Sequence, residues 1–510
     1  MTAVDSTQEP RRRRTGLIVT IIVVVVVLIA GGVTWGVLAA NGSGSSSDDT
    51  SVAVGLRLEP TNLDIVETSG IALDQVLIDN VYEALLSRDD TGTITDAIAS
   101  SHKVSKDGLT YTFTIRDGVK FHDGKTLKPS DVVWSLERIK DDDKANAHLE
   151  LAAVDTIKAD GQDVVLTLSE PSSTLLWSLT GRAGVVLEKA ATNDIQTTAN
   201  GTGPYRLTSW KQGDSITLSR FDDYWGDKAG VAKVVFQYFT DSSAEVNAVL
   251  SGDLQVATGV DPTLIDQLKS AKGYDLVKGK TTDKFTLAFN NAKAPFTDIR
   301  VRQAIRQAID PKALIASFGA GVPLGGPIPE GDPGYEDLTD IDSYNPENAK
   351  KLLAEAGVPN LALTVTIASF YGTTITDVLT SELKDVGITL TVKPVEFATW
   401  LSDVYTAHDY DLSIVDHAES RDFGSWANPK YYFGYDNPQV QKLYQESQTA
   451  TSESEAADKL KAAAKIVSED AAAEWLFTST STTAVDDTVK GFPTDFTSAR
   501  LNLKKLAVTE

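Results

Sequence analysis

Hydrophobic and polar positions follow two regimes along the chain. From Leu17 to Ala40 no residue is charged, a run of 24 positions. As a helix rising about 1.5 Å per residue it would reach roughly 36 Å, enough to cross a hydrocarbon layer of ~30 Å. Arg11, Arg12, Arg13 and Arg14 stand immediately before it, a bias that holds the N-terminus in the cytoplasm and sends the remainder outside. The pattern predicts a cytoplasmic basic N-terminus over 1–16 and a transmembrane anchor, or uncleaved signal, over 17–40. The rival reading is a signal cleaved after Val37 and Ala39. Against it, Ile21–Leu28 sits in a run longer than the removable core of about 7–15 residues. Residues 41–50 are dominated by Gly, Ser and Asp, the composition of a flexible linker.

From Ser51 onward the periods are those of a folded body. Leu109–Arg116 alternates apolar and polar residues between Asp107-Gly108 and Asp117-Gly118, which predicts a strand between two turns. Val164–Leu168 and Ile216–Ser219 read the same way. Apolar spacing predicts helices over Pro129–Lys140, through Trp134, Leu136 and Ile139, and over Ile299–Ile309, with Ile299, Val301, Ile305 and Ile309 along one side. A third covers Asn345–Ala356, where Asn345 caps, Pro346 occupies the first turn and Gly357 ends the helix. Asp310-Pro311 begins another. Thr364–Ser369 and Ile388–Val392 are predicted strands flanking the helix Thr374–Asp385. Interleaved strands and helices with no second long apolar run imply one large mixed α/β body outside the membrane.

Charge sharpens the picture. The formal net charge is −24; residues 1–40 carry four arginines and two acids, a net +2, so the rest carries −26. That sign suits solubility and excludes a general nucleic-acid binder. Cysteine is absent, which excludes disulfides, thiol nucleophiles, cysteine-ligated metals and a lipidated cysteine anchor. Gly118 to Gly124-Lys125-Thr126 and Gly273 to Gly279-Lys280-Thr281 approach a phosphate loop, but in each the glycines are one residue too far apart, so turns are expected. There is no GxSxG elbow and no HExxH motif. The densest polar cluster, Asp416-His417-Ala418-Glu419-Ser420-Arg421-Asp422, mixes carboxylates, imidazole and guanidinium. With no second histidine nearby, no metal site is assigned to it.

Several segments together resemble the family 5 extracellular solute-binding proteins of ABC importers, the dipeptide-, oligopeptide- and nickel-binding family. They are Val81–Leu86, Asp107–Gly124 continuing through Ser130-Asp131-Val132, and Gly201-Thr-Gly-Pro-Tyr-Arg-Leu207 with Trp210 and Asp222–Gly226. Further on come Pro295–Ile305 with Ala308-Ile-Asp310, and Pro346–Gly357. Ser101-His102 departs from the family, which usually has a tryptophan there, and so does the missing lipid-bearing cysteine. The resemblance implies a two-lobed periplasmic-binding-protein-like fold, class II with an extra subdomain. Residues 51–283 and 478–510 would form lobe I, with the subdomain near 88–198, and 284–477 lobe II. It further implies a hinge closing on ligand, ABC permease and ATPase subunits as partners, no cofactor and no enzymatic activity.

The same resemblance places a ligand-binding aspartate in the second-lobe loop, here Asp416 or Asp422, facing the ammonium of a short peptide, with His417 and Glu419 in the same cluster. Arg421 or Arg182 is the candidate for a carboxylate. Trp177, Phe370, Tyr371, Trp400, Trp426, Tyr431 and Tyr432 are candidate cleft walls, with Trp426 favoured because it stands beside the charged loop among Gly, Ser and Asn. The alternative within the family is a nickel or metal-chelate receptor. From other classes the alternatives are an extracellular hydrolase and a sensory or adhesive ectodomain.

Overall fold

The computed structural model describes residues 50–68, 70–89, 92–495 and 500–509. The predicted anchor over 17–40 and nearly all of the linker lie outside the described residues. Among the described residues, no helix is long and apolar enough to cross a membrane.

One ten-stranded sheet runs through the body. Its spatial order is Ile388–Val395, Leu361–Ala368, Leu412–His417, Tyr274–Phe289, Ala473–Asp486, Val256–Ala257, Ser51–Leu56, Lys233–Tyr238, Ser215–Arg220 and Tyr205–Lys211. Its two long central strands, Tyr274–Phe289 and Ala473–Asp486, are antiparallel to one another. One hydrophobic core gathers Val52, Val54, Phe113, Leu136, Val164, Leu218 and Phe236 with the late residues Leu501 and Leu503. Two others gather Phe285, Leu287, Ile305, Leu379 and Ile414, and Trp400, Trp426, Tyr432 and Trp475. The long strands therefore lead from one set of cores to the other.

The predicted elements take these places. Thr110–Ile115 lies inside a separate four-stranded sheet, beside Ala99–Val104 and Asp163–Leu168, with alternate residues Tyr111, Phe113 and Ile115 buried. Helix Pro129–Asp141 buries Leu136 and Ile139, while Trp134 is only partly buried. Leu361–Ala368 and Ile388–Val395 pair in parallel, joined by helix Thr374–Asp385. In helix Ile299–Ala308 the expected stripe holds at Val301, Ile305 and the following Ile309, but Ile299 is exposed because the first turn projects past the core. Asn345 caps helix Pro346–Glu355 by accepting from Asn348 N at 3.1 Å.

The Gly201-Thr202-Gly203 signature has a packing cause. A Cβ at Gly201 would lie 1.9 Å from Val81 O, and one at Gly203 2.3 Å from Asn80 O. Thr202 Oγ1 donates to the buried Glu83 Oε2 at 3.0 Å, which fastens this turn to the non-helical segment that follows helix Ile71–Leu77. Helix Ile299–Ala308 depends on Asp298, whose Oδ1 accepts from Arg300 N at 3.0 Å. Asp298→Ala is expected to cost about 1 kcal/mol by loss of the cap. A urea titration reads this as a lower midpoint with unchanged slope; an unchanged midpoint would remove the cap from the account.

Candidate functional site

The two long strands lose register between the cores. Lys280 pairs with Thr480 and Lys284 with Thr478, so Thr281, Thr282 and Asp283 face Ser479 alone. A bulge of this kind re-aims side chains that regular pleating would send elsewhere. Thr281 Oγ1 donates to Ser479 O at 2.9 Å, Thr282 Oγ1 to Ala418 O at 3.0 Å, and Ser479 Oγ to Asp283 Oδ2 at 3.2 Å. Strand Leu412–His417 ends alongside, with Asp416 opposite Phe285 and His417 opposite Lys284.

The result is an acidic cluster built around one buried cation. Lys284, 3% exposed at its side chain, donates to Thr282 O at 3.1 Å and Glu419 O at 2.7 Å, and its Nζ lies 3.3 Å from Asp422 Oδ1. The carboxyls of Asp283, Asp416 and Asp422 lie within reach of its charge, and the exposed Glu419 carboxylate adds to the repulsion among them. Burial, then the neighbouring Asp283, push the Asp416 carboxyl up to about 8, with Lys284 only partly offsetting them. Burial also raises Asp283, and lifts Asp422 to about 6 against the pull of Lys284. Asp416 N donates to Tyr371 Oη at 3.1 Å, while its Oδ1 is buried without a hydrogen-bond partner. Burial drives His417 down to about 3, so it is neutral at pH 7, and its Nε2 lies 3.0 Å from Tyr432 Oη. This is a site that would gain from a second cation.

His417, Glu419 and Asp422 each place a ligand atom within 4.8 Å of the others, the one grouping among the described residues with that geometry. The Tyr432 contact of His417 and the Lys284 contact of Asp422 compete with a metal there.

Arg421 reaches across to the first set of elements. Its Cζ lies 3.4 Å from the centre of the Trp177 ring, and Arg88 lies over the same ring at 3.8 Å. Arg421 has φ +59°, a left-handed conformation held by Asp332, whose carboxylate accepts from Arg421 N at 2.6 Å and from Ser420 Oγ at 2.7 Å. Close by, Ser173 N donates to Gln448 O at 2.9 Å and Ser173 Oγ to Ser447 O at 2.7 Å. These contacts border a recess of about 60 Å³ between Ser173-Thr174, Asp332-Pro333, the Arg421–Phe423 turn and the helices carrying Tyr444 and Leu460. A cation over an indole is worth about 0.5–2 kcal/mol. Trp177→Ala is therefore expected to weaken ligand binding about 2- to 30-fold with little change in unfolding midpoint. Titration calorimetry checks this; full affinity in the variant would mean that the ring does not hold the two sides together.

The other candidates are distributed differently. Arg182 is spent within the first core: its Nε donates to Asp74 Oδ1 at 2.7 Å, NH2 to Gly70 O at 2.7 Å, and NH1 to Thr68 O. Trp426 is 4% exposed, stacked on Phe433 at 4.0 Å and 5.3 Å from Trp475. Trp400 is also 4% exposed and donates from Nε1 to Ser413 Oγ at 2.9 Å. Both tryptophans are packed in the core rather than along the recess: Trp400 stacks on Phe397 of its own segment and meets Tyr432, while Trp426 draws its apolar surroundings from Phe433 and Trp475. Tyr371 packs edge-on against Phe285 beside Asp416. Tyr431 is half-buried against Tyr405 and close enough to Asp422 and Glu419 for their charge to raise its hydroxyl further. Tyr432 is buried beneath His417. The Phe370 side chain lies outside the described residues. Sequence reasoning passed over Asp283, Lys284 and Asp332; a charged pair opening the apolar run Phe285–Phe289 was the available signal.

The model of the bacterial extracellular solute-binding proteins, family 5 Middle, matches residues 93–440. The chain belongs to that family. The glutathione-binding protein GsiB of Pectobacterium atrosepticum is 29% identical over 428 residues, covering 78% of this chain and 82% of its own. The ABC transporter substrate binding protein CtaP of Listeria monocytogenes shares the fold with a TM-score of 0.82 at 21% identity, over 91% of this chain and 100% of that one. The oligopeptide-binding protein AppA of Bacillus subtilis, solved with a nonapeptide, gives 0.73 at 21% identity over the same shares. The family 5 chain thus has the two-lobed periplasmic-binding-protein-like α/β fold, and its binding body is of the extracellular class.

Proposed function

We propose that this protein is the extracytoplasmic solute-binding component of an ABC importer, that its ligand is a short peptide, and that it performs no chemistry on it. The observation that carries the peptide reading is the buried, unpartnered Asp416 Oδ1 within a cluster whose carboxylates outnumber its one lysine. An incoming ammonium satisfies that oxygen and relieves the repulsion among the acids. In this reading Asp416 and Asp422 face the ammonium, Arg421 meets a carboxylate, and Tyr371, Tyr431 and Trp177 form walls. Residues 51–283 with 478–510, including a subdomain near 88–198, form one lobe and 284–477 the other, and they close on the ligand about the long strands. Residues 17–40 tether the body to the membrane, with permease and ATPase subunits receiving the ligand. A relative named for glutathione and a structural neighbour solved with a nonapeptide support the ligand class.

Mass spectrometry of material released from the denatured, purified protein, together with a thermal-shift screen of a peptide library, tests the reading. Released peptides and stabilisation by library members are expected; release of only non-peptide solutes with no library hit would reject it. The His417, Glu419 and Asp422 grouping favours a metal chelate as the second reading. It predicts stoichiometric metal in elemental analysis of the purified protein.

A further inference from the structure

We infer that the recess beside Asp422 receives an apolar side chain of the bound ligand, so that the protein selects peptides with a leucine- or phenylalanine-like residue near the free amino end. The inference rests on the peptide reading and adds a side-chain specificity to it. The recess is predominantly apolar, with Ile328, Phe423, Tyr444, Ala456 and Leu460 in its lining. Ile328, Phe423 and Ala456 are themselves buried, so the wall is set by packing and is not a loose surface patch.

Two observations name the occupant. Asp422 both borders the recess and stands 3.3 Å from Lys284 in the acidic cluster, so the apolar space and the cation-seeking space share a wall. A peptide residue spans about 3.3–3.6 Å, which lets the first or second side chain enter the recess while the ammonium stays with the acids. Moreover, Ser173 and Gln448 both line the recess and hydrogen-bond to one another across it, so the contact that joins the two sides of the protein also covers this space. A group placed there is removed from water when the two sides meet. Four charged residues, Asp332, Arg421, Asp422 and Glu453, also line the recess, but Asp332 is engaged by Ser420 Oγ and Arg421 N and Asp422 by Lys284, and a charged side chain seated among the apolar residues would lose its hydration.

The test is calorimetric titration of free-amino trialanine and of variants with Leu, Phe, Glu or Lys at the first or second position. Leu or Phe at one of these positions is expected to bind at least tenfold more tightly than Ala, with Glu and Lys no better than Ala. Ala456→Phe, which fills the recess, should shrink the Leu-to-Ala affinity ratio. Leu460→Ala, which removes lining without adding bulk, should shrink it as well and serves if the first variant does not fold. Equal affinities across the wild-type panel, or a ratio unchanged in a folded variant, would overturn the inference while leaving the peptide reading standing. Failure of every peptide to bind would overturn both.

Discussion

Asp416→Asn is expected to weaken binding of a free-amino peptide by about 30-fold to several thousand-fold while the protein stays folded. Truncating one partner of a buried hydrogen-bonded charge pair costs about 2–5 kcal/mol of affinity. Asparagine keeps the side-chain shape, and the backbone bond from residue 416 to Tyr371 Oη is retained. What disappears is the charge at Oδ1, the atom left without a partner. The same residue sets a pH dependence. Its folded carboxyl titrates at about 8, against about 3.9 in the unfolded chain, so between these values the unfolded state holds fewer protons than the native state. The unliganded protein therefore loses stability as pH rises from about 4 to 8. A bound ammonium requires the ionised carboxylate, so binding at pH 7 releases a proton and affinity climbs toward pH 8. Above that the peptide amine itself, near 8, begins to deprotonate. Calorimetry at pH 7 in two buffers of different ionisation enthalpy measures the released proton. Proton release in the wild type and its loss in Asp416→Asn are expected; identical proton counts would exclude Asp416 as the ammonium ligand.

Lys284→Met is expected to destabilise the protein by about 3–5 kcal/mol, because it strips the one buried ammonium from among Asp283, Asp416 and Asp422. Glu419 O and Thr282 O also lose their donor, which loosens the loop that carries Asp422. The cost is electrostatic and so is repaired by removing charge: Lys284→Met with Asp422→Asn should recover a large part of it. Denaturant titrations of the single and double variants give the coupling energy. Additive losses would mean that the lysine acts through packing of its stem alone.

Helix caps and strand alternation were legible because they are local. Asn345, Pro346 and Gly357 bracket a helix within thirteen residues, and Thr110–Ile115 declares its buried face by period two. The 416–422 segment was legible as chemistry, since its residue types stand together in the chain. Its partners were not. Asp283 and Lys284 matter because two strands slip by two residues there, a pairing fixed by the partner strand and marked in the sequence only by a charged pair before Phe285–Phe289. Trp177 meets Arg421 only through tertiary packing. Trp426 misleads for the converse reason: polar sequence neighbours suggest exposure, yet Phe433 and Trp475 supply an apolar environment.

Capture of the ligand's ammonium is tested by comparing one peptide with its N-acetylated form. Acetylation removes the positive charge and leaves every side chain and the carboxylate in place. If the acidic cluster around Asp416 captures the ammonium, the free-amino peptide should bind at least 100-fold more tightly by titration calorimetry at pH 7.5. Equal affinity for the two forms would contradict the account.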